Sequence, residues 1–263
     1  MKKKEINVLF IADIIGKPGL EITSSLIAHL KKKHRVDLCI ANGENGAAGK
    51  GLSDNIAKTY FSLGIDVITS GNHIWDNRNF HTFLAMNNNV LRPYNYPEDN
   101  IGRGYTIVNI LDQIPVLVLN LQGKTFMFPI DCPFRAANEV IDKYKDKIKI
   151  FIIDFHAEAS AEKMALGWYL DGKASAVIGT HTHVQTADEQ ILPRGTAYIT
   201  DAGMTGPFDS VIGMKKQIAI QRFLKQIPIR YQPATDNVRL CGVLISINVE
   251  TGKASSIQRL QLP

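Results

Sequence analysis

Val177-Ile178-Gly179-Thr180-His181-Thr182-His183 is the stretch on which the reading of this chain turns. Small and apolar residues mark the end of a buried strand, and two histidines follow at a spacing of two. In extended backbone alternate side chains point the same way. The spacing therefore predicts that His181 and His183 aim at one point just past the strand. Imidazole is a common metal ligand, and a strand end is a rigid place to hold one. A bare His-x-His also occurs in ordinary loops, so its weight comes from the rest of the chain.

Upstream, residues 148–155 are an apolar strand that runs into His156, residues 161–170 read as a helix, and residues 174–178 form the strand leading to the paired histidines. At the start of the chain, the apolar run 6–11 stops at Asp13 and Gly16. A helix is expected over 20–33, preceded by Pro18 and Gly19. A second strand, 37–41, ends in Asn42-Gly43-Glu44-Asn45-Gly46. Ser53 is a good N-cap for a helix reaching about Leu63. A third strand, 67–69, stops at Ser70-Gly71-Asn72-His73, and 77–86 looks helical. Strands alternating with helices imply βαβ units. The middle differs: 105–110 and 116–121, separated by Asp112-Gln113 and Pro115, predict an antiparallel pair, followed by a helix over 133–144. A short strand is expected over 196–200, and 238–249 with 255–262 flank the hairpin signal Glu250-Thr251-Gly252-Lys253. No repeat or linker interrupts the chain, so one domain over 1–263 is expected.

Composition bounds the function. The 263 residues are 45% hydrophobic and 21% charged, ordinary for a globular protein. The net charge of +5 suits a phosphate-bearing substrate but falls short of a dedicated nucleic-acid binder, so RNA is not indicated by charge. The run Lys31-Lys32-Lys33-His34-Arg35 sits where cations meet the negative end of a helix dipole. No apolar run is long enough to cross a bilayer. The opening Met1-Lys2-Lys3-Lys4-Glu5 leads into a strand too short for a signal-peptide core. Cys39, Cys132 and Cys241 are odd in number and widely spaced, which reads as reduced thiols. A cytoplasmic protein is expected. Neither a phosphate-binding P-loop nor a dinucleotide-binding Gly-x-Gly-x-x-Gly follows the first strand.

The strand ends thus carry Asp13, Glu44 with Asn45, Asn72 with His73, His156, and His181 with His183. Singly, each has an ordinary role as a cap, a turn residue or a satisfied buried histidine. Together they make a set of carboxylates, amide oxygens and imidazoles suited to manganese, iron or zinc, placed where open α/β sheets build their sites.

In this order, Asp13-Ile14-Ile15-Gly16, Asn42-Gly43-Glu44-Asn45, Gly71-Asn72-His73, His156 and Gly179-Thr180-His181-Thr182-His183 resemble the calcineurin-like metallophosphoesterases, and more closely their YmdB-like branch. The resemblance extends through Thr205-Gly206-Pro207-Phe208-Asp209. Ile15 stands where the broader superfamily has a histidine, and Glu44 where it has a bridging aspartate. Both are features of the branch. The resemblance implies an α/β fold, a four-layer αββα sandwich of two mixed sheets flanked by helices. It also implies two metal ions, iron or manganese with zinc compatible, bridged by Glu44. Asp13, Asn45 and His183 would complete one metal site, and Asn72, His156 and His181 the other. His73 would be a proton donor rather than a ligand; separately, Asp76 lies three residues on, where it could orient that imidazole.

The implied activity is hydrolysis of a small phosphodiester, particularly a 2′,3′-cyclic nucleotide, by attack of a metal-bridging hydroxide. A phosphomonoesterase or nucleotidase, and a metal-stabilised binding module without turnover, are alternatives. A homo-oligomer is compatible, and a membrane role is not expected. The glycines of 45–51 could admit a substrate or simply shape a turn, and Arg92, Tyr94 and Tyr96 form a polar aromatic patch that could contact base or phosphate, although a lone arginine among tyrosines is more often surface packing.

Overall fold

The structure, a computed structural model, describes residues 3–111 and 113–263. Met1 and Lys2 of the basic start and Asp112 of the expected turn lie outside the described residues. In chain order the elements begin β1 (Glu5–Ile11), α1 (Gly16–Lys33), β2 (Leu38–Asn42), α2 (Asp54–Ser62), β3 (Val67–Thr69), α3 (His81–Met86), β4 (Tyr105–Ile110) and β5 (Ile114–Gln122). They continue α4 (Pro133–Tyr144), β6 (Ile150–His156), α5 (Ser160–Tyr169), β7 (Ala176–Thr180), β8 (Gln190–Ile191), β9 (Ala197–Ile199) and β10 (Gly206–Pro207). The last three are α6 (Lys216–Lys225), β11 (Val238–Asn248) and β12 (Ala254–Leu262).

Strand alternation explains the layers. In β1, Ile6, Val8 and Phe10 point to one buried cluster, and Leu9 and Ile11 to another. The first cluster also takes Val116 and Val118 of β5, Ile150 and Ile152 of β6 and Ile178 of β7, so it is the seam between two sheets. The second lies under α1 and α2, with Ile27, Leu30, Ala57 and Tyr60. A third joins Phe151, Ile153 and Phe155 of β6 to Val140 and Ile141 of α4 and Leu166 of α5. Helices, sheet, sheet, helices: the molecule is the expected four-layer αββα sandwich. One sheet runs β10-β11-β1-β2-β3 with β12 on β11, and the other β4-β5-β6-β7-β9-β8. Both are mixed, with β1, β2 and β3 parallel to one another, and β5, β6, β7 and β9 likewise.

Several local details differ from expectation. Helix α1 starts at Gly16, so Pro18 and Gly19 lie inside its first turn, where the missing proline N–H has no intrahelical partner to lose. Gly19 is required there, since a Cβ would meet the Thr205 carbonyl oxygen at 2.4 Å. Ser53 occupies the N-cap position of α2 without a side-chain capping bond. The helix expected over 77–86 is a 3-10 turn, Arg78–Phe80, followed by α3. Helix α6 is not anticipated: only its Ala219 is buried, so it shows no core-facing stripe. No helix among the described residues is long and apolar enough to cross a membrane.

Candidate metal centre

The inward-facing residues of the two sheets change character at one end. After Leu38 and Ile40 the same face of β2 carries Asn42, and after Val67 that of β3 carries Thr69. After Val116 and Val118 that of β5 carries Asn120 and Gln122. After Ile150 and Ile152 that of β6 carries Asp154 and His156, and after Ile178 that of β7 carries Thr180. All seven of these polar side chains are buried. The inter-sheet seam thus ends in a polar floor at the carboxyl ends of the parallel strands, and the loops beyond it hold the expected residues.

Glu44, His156 and His181 bring one donor atom each within 4.8 Å of the others. Glu44 Oε1 lies 3.0 Å from His156 Nε2, and His156 Nε2 lies 2.9 Å from His181 Nδ1. The second carboxylate oxygen of Glu44 accepts from the His73 backbone N–H at 3.2 Å. On the other side, Asp13 Oδ1 lies 3.7 Å from His183 Nε2. Asn45 reaches between them, its Nδ2 3.3 Å from Asp13 Oδ1, 3.4 Å from Glu44 Oε1 and 3.2 Å from His183 Nε2. As a ligand Asn45 would present Oδ1 at that point instead. Asp13, Glu44, Asn45, His156, His181 and His183 are therefore linked contact by contact into one cluster, with His73 at its edge through its backbone N–H and Asn72 beside His73 in the chain.

The His-x-His pair does not reach the cluster from extended backbone, on which the reading of its spacing rests. The extended backbone ends at Thr180, and His181 and His183 both adopt positive φ, 101° and 64°. Such angles are uncommon for a side chain with a Cβ. Asp201 holds the loop in this shape, accepting from the Thr182 N–H at 3.0 Å and the Thr182 hydroxyl at 2.8 Å. Lys163, itself buried, donates to the same oxygen at 2.7 Å. The two histidines consequently reach different partners, His181 lying toward His156 and His183 toward Asp13.

Each ring is tethered on the side away from the cluster. His183 Nδ1 donates to the Ile212 carbonyl at 3.0 Å, which leaves the Nε2 lone pair inward. His181 Nε2 lies 3.1 Å from the Glu158 carboxylate, which leaves Nδ1 inward. The Thr180 hydroxyl donates to Asp154 Oδ1 at 2.7 Å and so accepts from His156 Nδ1 at 3.0 Å, which turns His156 Nε2 inward. Asp154 is completed by Asn42 Nδ2 at 3.0 Å and by the Thr69 hydroxyl. Fixing one ring nitrogen to an acceptor is how proteins set the tautomer of a metal-binding histidine.

The electrostatics call for positive charge. Burial pushes the Glu44 carboxyl up, but His156, its hydrogen bond, His73 and His181 outweigh this and bring it down to about 2. Burial pulls His156 down, yet Glu44, Asp13 and Asp154 raise it to about 9. Burial and the neighbouring His156 lower His181 to about 3. The buried Glu44 carboxylate thus draws on the imidazoles around it for its favourable electrostatics. Asn72 Oδ1 is a second sign, buried with no hydrogen-bond partner among the described residues. Gly71 leaves the necessary room, since a Cβ there would sit 2.2 Å from His156 Nε2 and 2.4 Å from Glu44 Oε2. Carboxylate, amide and imidazole donors at this spacing fit transition-metal ions.

His73 Nδ1 pairs with Asp76 Oδ2 at 2.9 Å, and Lys50 also reaches that oxygen at 3.0 Å. Asp154, Asp201, Thr180 and Lys163 are absent from the sequence-derived set. The available signal for Asp154 is its place two residues before His156 in an otherwise apolar strand. Arg92 is not a phosphate contact: it is buried, and its guanidinium donates to the carbonyls of Pro93, Tyr94, Asn100 and Ile101. The glycine loop is a tight turn, with Ala47 N–H donating to the Gly51 carbonyl at 2.8 Å and Gly49 seated against the Tyr231 ring.

Comparison with known proteins identifies the family. The chain matches the model of the YmdB-like protein family over residues 9–260. It is 47% identical over 255 residues to the 2′,3′-cyclic-nucleotide 2′-phosphodiesterase of Bacillus subtilis (strain 168), covering 97% of this chain and 96% of that protein. A crystal structure of a hypothetical protein from Thermus thermophilus superposes with a TM-score of 0.91 at 38% identity, covering 98% of this chain and 100% of that one. A crystal structure described as a novel phosphatase from Mycoplasma pneumoniae gives 0.94 at 33% identity, covering 99% and 94%. Matched from its first strand to its last, this chain belongs to the YmdB-like protein family.

Proposed function

We propose that this chain is a metal-dependent phosphodiesterase that hydrolyses 2′,3′-cyclic nucleotides, with Asp13, Glu44, Asn45, Asn72, His156, His181 and His183 as ligands of two metal ions. The observation that carries it is the meeting of Asp13, Asn45, His156, His181 and His183 around Glu44, the outward nitrogen of each imidazole being tied to an oxygen of Thr180, Glu158 or Ile212. The cyclic-nucleotide activity of the Bacillus subtilis relative supports the substrate class. Iron or manganese suits the mixed donors, and zinc is compatible. When bound, such a pair of ions supplies Lewis-acid activation of the phosphate and an acidified water as nucleophile.

The chain's own residues do the rest. Glu44 has two carboxylate oxygens and sits between the Asp13–His183 and His156–His181 groups, which suits it to bridge. Asn72 adds a neutral oxygen, so the cluster is not overloaded with negative charge that would repel phosphate. Nδ1 of His73 is held by Asp76 and its Nε2 lies 3.4 Å from the Asn72 amide nitrogen; from there the protonated ring would deliver its Nε2 proton to the departing ribose oxygen, a contribution of about 10²–10⁴-fold for a general acid. The seam running from Ile6 to Ala254 supports one folding unit over 1–263, and the free cysteines support a reducing, cytoplasmic setting.

The test is a substrate panel on protein reconstituted with manganese or iron: 2′,3′-cyclic nucleotides, a bis-aryl phosphate and a mono-aryl phosphate. Cleavage of the cyclic nucleotides and the diester is expected, with slower or no cleavage of the monoester. Faster monoester cleavage would make the protein a phosphomonoesterase, and no turnover on any arm would leave a binding module.

A further inference from the structure

Beside the metal centre lies a cleft of about 590 Å³ whose walls include Trp75, Tyr96, Pro97, Asn100, Phe128 and Pro129. Two of its rings are tied to the centre by fixed structure. Trp75 closes the short 3-10 turn Asn72–Trp75, which also carries Asn72 and His73. The Tyr96 hydroxyl donates to Gln122 Oε1 at 3.0 Å, and Gln122 pairs in register with His156 across β5 and β6. The Trp75 and Tyr96 rings meet edge to face, 5.4 Å between centroids. Phe128 stands over the cleft with 71% of its surface exposed.

These walls are wrong for a phosphate, because none of the lining residues is a cation, and right for a flat heteroaromatic ring. Stacking on aromatic side chains is the general way proteins hold a base without reading its identity. We propose that this cleft is the nucleobase subsite of the centre, Trp75, Tyr96 and Phe128 forming the stacking walls while the cyclic phosphate lies against Asn72 and His73. The proposal rests on the cyclic-nucleotide phosphodiesterase reading and deepens it. Since every base has a π face, the cleft separates nucleotides from base-less ribose phosphates rather than one base from another.

Two measurements on the full-length, manganese-loaded protein test it. The first compares kcat/KM for 2′,3′-cyclic AMP with that for 1-O-methylribose 2′,3′-cyclic phosphate, which lacks the base. The wild type should favour the nucleotide at least tenfold, and Phe128→Ala should reduce that preference about tenfold. Phe126→Ala, in the same loop but outside the cleft, should keep the wild-type preference. The second uses Trp168→Phe, which leaves Trp75 as the sole tryptophan. AMP should quench its emission and ribose 5-phosphate should not. A wild-type preference near one, a preference unmoved by Phe128→Ala, or emission indifferent to AMP overturns the subsite even when both substrates are hydrolysed. Quenching by AMP with no hydrolysis of either substrate would instead sink the phosphodiesterase reading and leave the base site standing.

Discussion

At the scale of single residues, His73 and Glu44 carry separate parts of the proposed function, proton donation for the one and metal retention for the other. Because His73 touches the cluster only at its edge, His73→Ala should lower kcat on a cyclic nucleotide by about 10²–10⁴-fold while elemental analysis finds wild-type metal content. Unchanged turnover on a substrate with a poor leaving group would remove the donor role. Glu44→Gln takes one charge from the point shared by His156 and Asn45. It should cost at least one ion per chain by the same analysis, and two retained ions would refute the bridge. The types of these residues were legible in the sequence because each follows an apolar strand. The positive φ of His181 and His183 was not, because it depends on Asp201, twenty residues further on.

At the scale of elements, β6 and β7 are joined at the metal end by Asp154, Thr180 and His156. Thr180→Val keeps the shape of the side chain but removes the hydroxyl that sets the His156 ring. Losing such a supporting hydrogen bond typically costs about 10–100-fold in metal affinity, which a chelator competition would read. The loop after β7 depends on a different pair. Asp201→Ala leaves the Lys163 ammonium buried and unpaired and frees the Thr182 N–H and hydroxyl. Urea unfolding should show a loss of about 3–5 kcal/mol, the usual consequence of orphaning a buried charge. A loss under 1 kcal/mol would mean that water or another carboxylate reaches Lys163. Sequence periodicity located β6, α5 and β7 to within two residues at each end. It gave no sign that α5 sends a buried lysine to the loop, since a lysine in a helix ordinarily faces solvent.

For the whole molecule, burial governs thiol reactivity, with Cys241 in the seam between the sheets and Cys39 in the layer under α1 and α2. Burial raises the Cys39 thiol to about 12, and burial above all raises Cys241 to about 11. Since the thiolate is the reactive form, neither should react at pH 8, and the folded protein should take up thiol reagent at Cys132 alone. All three should react after denaturation, and rapid labelling of Cys39 in the folded state would show that the β2 layer opens. Chelation should lower Tm, because a cation that binds only the folded state stabilises it by mass action. A Tm indifferent to chelator would mean that the donor set holds no ion.

The sequence by itself determined the order of strands and helices and which strand ends carry ligand-type side chains. These are local properties: an apolar run buries itself wherever it lies, and a polar residue after it must sit at its end. Which ends would meet, and on which face, was decided by tertiary structure. Asp13 and His183 are held together by the packing of one sheet on the other, a long-range arrangement that no spacing encodes. The same packing turned Asn42, Thr69, Asp154 and Thr180 from isolated polar residues into one buried network. It also set Trp75 and Tyr96 edge to face beside it.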